Sequence, residues 1–556
     1  MTNPNGPRTG RPPSYGSNGM VCTSHTLASE AGNAALRKGG SAVDAAIAAN
    51  AVLCVVYPHM AGLGGDAFWL VHDPARGGVR ALNASGPAAG KATIDHYRAQ
   101  GCDDAIPPRG AMGALTVPGA VDGWREMHEA HGKLDWADLF ADAIALARDG
   151  YPVSTSLASW IVRDRELLGK PEHREVSDMV RPDGRDPLPG TRLANPRLAK
   201  SFERIAKDGP RKAFYEGVIA EQICKALGPK GSPLAPEDFA AFRAEWVDPI
   251  STDYRGHTVY EFPPNTQGFA ALQILNIMEG FDPVQLGEGT ADYYHHMAEA
   301  VKLAFADRNA WLTDPKFLDI PLDKLLSKDY AAKRRKLIDP EHAMVMEDVA
   351  PGIAPAKGAG GSDKHGGDTC YFCVVDGDGL AVSVIQSIYH DFGSAVIGGE
   401  SGIILQNRGS FFSLDPDHPN SLEPGKRTFH TLIPAMILKD DRPWLVFGSM
   451  GGEGQPQTHA AIVTRMVDYG FNVQQAIEAP RWLMGRTWGV KVQDMALEGR
   501  IPDPVIEELQ RRGQPIKPVQ DWNDNMGHAQ AIRINEATGF LEGGADPRGD
   551  GSAIGH

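Results

Sequence analysis

Residues 369–387 read TCYFCVVDGDGLAVSVIQS, two runs of β-branched and aromatic residues joined by Gly377-Asp378-Gly379. Such a pattern specifies an antiparallel hairpin, because the short glycine turn can only fold the second run back beside the first. The stretch ahead of it, Pro351 to Asp368 (PGIAPAKGAGGSDKHGGD), holds six glycines in 18 positions and only Ile353 as a strongly apolar residue. A segment so poor in apolar side chains reads as an exposed loop. It is the clearest boundary in the chain.

The remaining pattern is mixed. Leu27 to Lys38 reads as a helix capped by Ser24 or Thr26, and Ala42 to Tyr57 as a second, capped by Ser41 and stopped by Pro58. Short strands are expected at Phe68–Asp73, Val79–Asn83, Thr431–Lys439 and Trp444–Gly448. Helices are expected to dominate from Gly119 to about Gly280 and at Thr458–Tyr469 and Val473–Ala479. Ala291 to Ala310 reads as an amphipathic helix. The class is α+β with stacked layers. A length of 556 residues allows two to four domains or one large enzyme fold.

Composition narrows the functions. Apolar residues at 42% exclude a disordered chain. A net charge of −15 argues against a phosphate-binding face and so against nucleic acid. No apolar run reaches the roughly 18 residues of a membrane span, and residues 1–20 read as a flexible tail without a secretory apolar core. Six scattered cysteines fit a reducing, cytoplasmic setting.

Several motifs have ordinary readings. Gly62-Leu63-Gly64-Gly65-Asp66-Ala67 matches G-x-G-x-x-A, but a helix precedes it and a strand follows, so it reads as a tight turn and not a nucleotide site. Cys370 and Cys373 lack a second ligand pair and, on a strand, point to opposite faces. His295 and His296 diverge by about 100° on a helix. Arg548-Gly549-Asp550 is read as a chance tripeptide. Gly448-Ser449-Met450-Gly451-Gly452 is either a turn or a set of backbone N–H groups able to hold an oxyanion.

Thr369 is the sharper feature. A cut between Asp368 and Thr369 would give one residue both a hydroxyl and a free α-amine of pKa near 7.7–8, able to take the hydroxyl proton at neutral pH. The hydroxyl itself could make that cut by attacking the Asp368 carbonyl. By residue type alone, an ordinary strand start remains open.

Taken in order, GMVCTSHTLASEAGNAALRKGGSAVDAAIAANAV, PHMAGLGGDAF, TVPGAVDGW, AEAVKLAFADR, GDTCYFCVVDGDGLAVSVIQS, FGSAVIGGESGIILQN, GSMGG and ADPRGDG resemble the gamma-glutamyltransferase family of N-terminal-nucleophile hydrolases. The resemblance implies a four-layer αββα fold built from both halves of the chain. It implies a proenzyme processed at Asp368–Thr369 into a large subunit (21–368, after the tail) and a small one (369–556), held as a heterodimer, with a dimer of these left open. No cofactor or metal is implied, and the partner is a small-molecule amide. Thr369 would be nucleophile and base, Ser387 its hydroxyl neighbour, and Gly451 and Gly452 the oxyanion hole. Asn407 and Glu400 fall in substrate-facing segments.

Departures from the family pattern bear on substrate. The segment LNASGPAAGKAT lacks the family's carboxylate-clamping arginine. Phe411 stands where an aspartate holds the substrate amine, His430 and Thr431 replace paired serines, and Tyr389 replaces an asparagine. An ammonium set against Phe411 would be costly to desolvate. The pattern is more similar to the amidohydrolase branch, with oxamate amidohydrolase and cephalosporin-acylase-like members, and Arg408 is the candidate for a substrate carboxylate. The alternatives are a gamma-glutamyl transferase or glutathione hydrolase with a rebuilt pocket, and an uncut, non-catalytic binding protein.

Overall fold

The computed structural model describes residues 9–355, 368–485 and 493–556. Most of the glycine-rich loop, 356–367, lies outside them. Two seven-stranded sheets form the centre, and every pairing within them is antiparallel. The first runs Ser552–Gly555, Met20–Thr23, Asp368–Val375, Ala381–Tyr389, Asp66–His72, Val79–Ala84, Glu245–Val247. The second runs Ser14–Gly16, Leu541–Ala545, Ala529–Ile534, Arg442–Ser449, Ala435–Lys439, His257–Glu261, Ile250–Tyr254. Each sheet takes strands from both sides of residue 368.

Alternation along the strands builds three apolar layers. In Asp368–Val375, Cys370, Phe372 and Val374 face the helices Thr26–Arg37 and Ala42–Val56, whereas Tyr371, Cys373 and Val375 face the other sheet. The layer between the sheets contains Phe68, Leu70, Ile385, Met436, Val446 and Ile532. Outside the second sheet, Ile437, Leu445 and Phe447 meet the helices Gly268–Met278, Ala291–Trp311 and Gln455–Val467. The order is therefore helix, sheet, sheet, helix, as the resemblance implies. Among the described residues no helix is long and apolar enough to cross a membrane.

Helix Ala42–Val56 is buried at all 15 positions, which explains why only Asp44 and Asn50 interrupt its apolar sequence. Its start is held by a capping box, with Asp44 N–H donating to Ser41 Oγ at 3.1 Å and Ser41 N–H to Asp44 Oδ2 at 2.8 Å.

Four expectations need correction. The tail is built into the fold from residue 9: Ser14–Gly16 pairs with Leu541–Ala545, and Gly10 N–H donates to Glu478 Oε2. An edge strand needs only backbone groups, so no apolar pattern announced it. Helix Thr26–Arg37 is capped by His25, whose Nδ1 accepts from Leu27 N–H at 3.2 Å, and not by Ser24 or Thr26. Five strands interrupt the region expected to be helical: the two-residue pair Tyr151–Pro152 and Arg192–Leu193, and Glu245–Val247, Ile250–Tyr254 and His257–Glu261 of the central sheets. Helix Ala291–Trp311 is buried on nearly every face, and its polar residues are satisfied at long range. Lys302 Nζ, for example, donates to Glu299 one turn away at 2.6 Å and, at long range, to the Met344 carbonyl at 2.8 Å and Gln514 at 3.0 Å.

Candidate active site

The hairpin places Thr369 at the end of a central strand. Asp368 lies opposite Tyr389 but Cys370 opposite Gln386, so the register slips by one residue and Thr369 lies across from 387–388. Thr369 is 1% exposed, and its Oγ1 has no hydrogen-bond partner among the described residues. Ser387 accepts the Tyr389 N–H on Oγ at 2.7 Å and sits opposite Asp66 in the next strand.

Asp66 belongs to the site, although the motif around it reads only as a turn. That turn brings Gly64 against the backbone of Ile404 and Gly65 against that of Ser387, where a Cβ would lie about 2.1–2.2 Å from carbonyl oxygens. The chain thereby delivers Asp66, 1% exposed, to the centre of the cluster. Its Oδ1 accepts from Gly86 N–H (3.0 Å), Gly119 N–H (3.2 Å) and Gln406 Nε2 (3.0 Å). Its Oδ2 lies 3.3 Å from His430 Nε2. Burial pushes the Asp66 carboxyl up to about 7, against the opposing pull of those donors and of Arg408. Burial, then Arg408, hold His430 well below its usual range, so the contact is a hydrogen bond from a neutral imidazole and not an ion pair.

The raised carboxyl has a thermodynamic consequence. A group that holds its proton more tightly when folded stabilises the fold relatively at low pH and loses that contribution as pH rises from about 4 to about 7. The shift corresponds to something on the order of 4 kcal/mol. Asp66→Asn, which keeps an acceptor for the three donors, is therefore expected to gain melting temperature over the parent at pH 8 and little at pH 4.5. Thermal denaturation at the two pH values checks this, and an equal difference at both would sink it.

Arg408 lies on the other side. It is 1% exposed, its guanidinium carbon sits 3.6 Å above the centre of the Tyr389 ring, and Nη2 donates to Thr431 Oγ1 at 2.9 Å. Among the described residues Nη1 reaches only the Phe429 carbonyl, at 3.4 Å, and Nε has no hydrogen-bond partner. Among the described residues no carboxylate lies within ion-pair distance of it. Burial lowers its pKa to about 10, so it remains a cation at neutral pH. Phe411 packs edge-on against Tyr389 and Phe429, making the adjoining wall apolar.

The glycine loop closes the group. Gly448 lies under the Tyr371 ring, leaving no space for a Cβ. Gly451 and Gly452 have φ of 133° and 54°, and their N–H groups are not taken by backbone carbonyls among the described residues. Gln267 ties this loop to the Arg408 side, with Nε2 donating to the Thr431 carbonyl at 2.8 Å and the Gly452 carbonyl at 2.9 Å. Gln267 Oε1 accepts from Arg308, which also pairs with Glu453 at 2.7 Å.

The structure thus gathers Thr369, Ser387, Tyr389, Arg408, Phe411, His430, Thr431 and the two glycines. Asn407 is adjacent, but its side chain is committed to backbone: Oδ1 accepts from His390 N–H at 3.0 Å and Nδ2 donates to the Pro108 carbonyl at 2.6 Å. Glu400 is exposed on a turn against the helices Pro196–Pro210 and Val218–Leu227, away from the group. Arg548 is buried and binds Glu498 with two 2.7 Å hydrogen bonds, a structural role. Asp66, Gln406 and Gln267 are additions to the residues singled out from sequence. The one local hint is a carboxylate opening the strand DAFWLVH, whose next five residues are apolar.

Two antiparallel sheets between helical layers, with a threonine ending a central strand, define the N-terminal-nucleophile hydrolase class, and the chain is an enzyme of that class. It belongs to the gamma-glutamyltranspeptidase family, whose family model matches residues 28–556. The chain is 47% identical over 540 residues to the glutathione hydrolase-like YwrD proenzyme of Bacillus subtilis, covering 97% of this chain and 99% of that one. It is 41% identical over 544 residues to the oxamate amidohydrolase proenzyme of Klebsiella pneumoniae, covering 97% and 98%. Among solved structures, the cephalosporin acylase from Bacillus halodurans superposes with a TM-score of 0.90 at 39% identity, covering 100% and 99%.

Proposed function

We propose that the chain is a self-processing amidohydrolase for small amides whose acyl part carries a carboxylate. The observation that carries this reading is Arg408: a buried cation, stacked on Tyr389, with an unpartnered Nε and no carboxylate of the described chain beside it. A buried guanidinium is strongly favoured by an anion able to take two of its N–H donors. The apolar wall of Phe411 disfavours the ammonium that a gamma-glutamyl group would bring.

In this reading the chain cuts itself between Asp368 and Thr369, giving a large subunit ending at 368 and a small one beginning at 369. The new α-amine of Thr369 takes the hydroxyl proton while Oγ1 bonds to the amide carbon. The N–H groups of Gly451 and Gly452 hold the resulting oxyanion. The proton passes to the nitrogen, the C–N bond breaks, and the amine leaves an acyl-ester. Water, deprotonated by the same amine, then adds to the ester and releases the acid. The relative named for oxamate supports a compact acidic acyl group.

Ammonia release from oxamate and anilide release from a gamma-glutamyl anilide, measured side by side, test the substrate class. Oxamate is expected to have the higher kcat/KM, by about tenfold or more. A preference for the anilide would overturn the carboxylate reading and favour a gamma-glutamyl hydrolase.

A further inference from the structure

We propose that Asp66 and His430 form a pair that recognises the N–H of the scissile amide: Asp66 fixes the imidazole proton on Nε2, and Nδ1 accepts the substrate N–H beside Arg408. The proposal rests on the amidohydrolase reading above and adds the group that would distinguish an amide from an ester.

The observations are geometric. Above about pH 7 the Asp66 carboxyl is ionised and only accepts hydrogen bonds, and a neutral imidazole has one proton to give. With Asp66 Oδ2 3.3 Å from His430 Nε2, that proton belongs on Nε2 and Nδ1 keeps a lone pair. His430 is 1% exposed and its Nδ1 has no hydrogen-bond partner among the described residues. Buried polar atoms are rarely left so.

Neighbouring groups hold the pair in place and leave Nδ1 unpartnered among the described residues. Three donors fix Oδ1 of Asp66. The His430 ring stands edge-on to Phe68 at 4.8 Å. Its backbone N–H donates to the Asn265 carbonyl at 2.8 Å, and its carbonyl accepts from Gln267 N–H at 3.2 Å. The following residue, Thr431, is the one that binds Arg408.

The site therefore offers a cation and, one residue along the chain from its partner, a lone-pair acceptor. A molecule with a carboxylate and an N–H group complements both. As the tetrahedral intermediate collapses, an N–H···Nδ1 bond would hold the nitrogen so that its own lone pair remains open to the proton carried by the Thr369 amine. An ester of the same acid has no N–H to present and gains nothing from the pair.

The test compares oxamate with monomethyl oxalate, which share an acyl group, using rates expressed per cleaved chain. His430→Phe is expected to lower kcat/KM on oxamate by about thirtyfold and on the ester by no more than about threefold. Asp66→Asn, which frees the tautomer, is expected to lower the amide rate by about tenfold with a similarly small effect on the ester. His430→Gln, which keeps an acceptor, should recover part of the amide rate, and remains informative should the phenylalanine variant fold poorly. Equal losses on both compounds, or no loss on oxamate, would overturn the proposal. Should cleaved wild-type protein turn over neither compound, the carboxylate reading is what fails. The same amide-to-ester ratio measured on a gamma-glutamyl anilide and a gamma-glutamyl ester then decides the role of the pair.

Discussion

Thr369→Ala protein is expected to migrate as one chain of 59.8 kDa under denaturing conditions, without measurable amide hydrolysis. Wild-type protein is expected to give two chains of roughly 40 and 20 kDa, sharing that mass by residue count. The effect is large because one residue would supply nucleophile and base together, so its removal leaves no partial machinery; losses of at least a thousandfold are usual for such groups. Thr369→Ser, which keeps a hydroxyl, should still be cut, more slowly. Intact-mass spectrometry reads the outcome directly. Two chains from the alanine variant would remove Thr369 from the self-cleavage, and undiminished amide hydrolysis would remove it from catalysis.

The second large effect concerns Arg408. Replacing it with methionine keeps most of the volume and removes the charge. KM for a carboxylate-bearing amide is expected to rise by about ten- to a hundredfold, the scale of lost charge-assisted hydrogen bonds. Self-cleavage should continue, since no substrate carboxylate takes part in it. Melting temperature should rise, because an unpaired buried guanidinium is a cost that binding repays and folding does not. Arg408→Lys retains charge but not the planar face set 3.6 Å over Tyr389, and should fall between the two. Steady-state kinetics on oxamate with thermal denaturation of the same samples checks both parts. An unchanged KM would remove the anion-binding role.

The two substitutions also show what the sequence discloses. Thr369 stands out because a glycine-rich stretch meets a hairpin, a purely local contrast. Arg408 stands out because it departs from a family pattern. Asp66 does neither: its surroundings look like a turn, and its meaning depends on Gly86, Gly119, Gln406 and His430, which are remote in sequence. The strands at Ile250–Tyr254 and His257–Glu261 escape for a related reason. They close one side of a sheet and gain their identity from pairing, His257–Glu261 with Ala435–Lys439 and the edge strand Ile250–Tyr254 with His257–Glu261. Helix Ala291–Trp311 misleads in the opposite sense, since buried Glu299 and Lys302 have the spacing of a solvated face. Glu400 and Asn407 show the limit of position-by-position transfer: one is solvent-facing and the other holds the loop.

Strand Met20–Thr23 lies between Ser552–Gly555 and Asp368–Val375, so a strand from before residue 368 is flanked on both sides by strands from after it. Scission at 368–369 would therefore make a nick in a woven object and not two separable parts. Pulling the pieces apart would require opening two hydrogen-bonded ladders at once in the middle of a sheet. The one-to-one ratio of the pieces is then set by topology, and dilution would not exchange them between molecules.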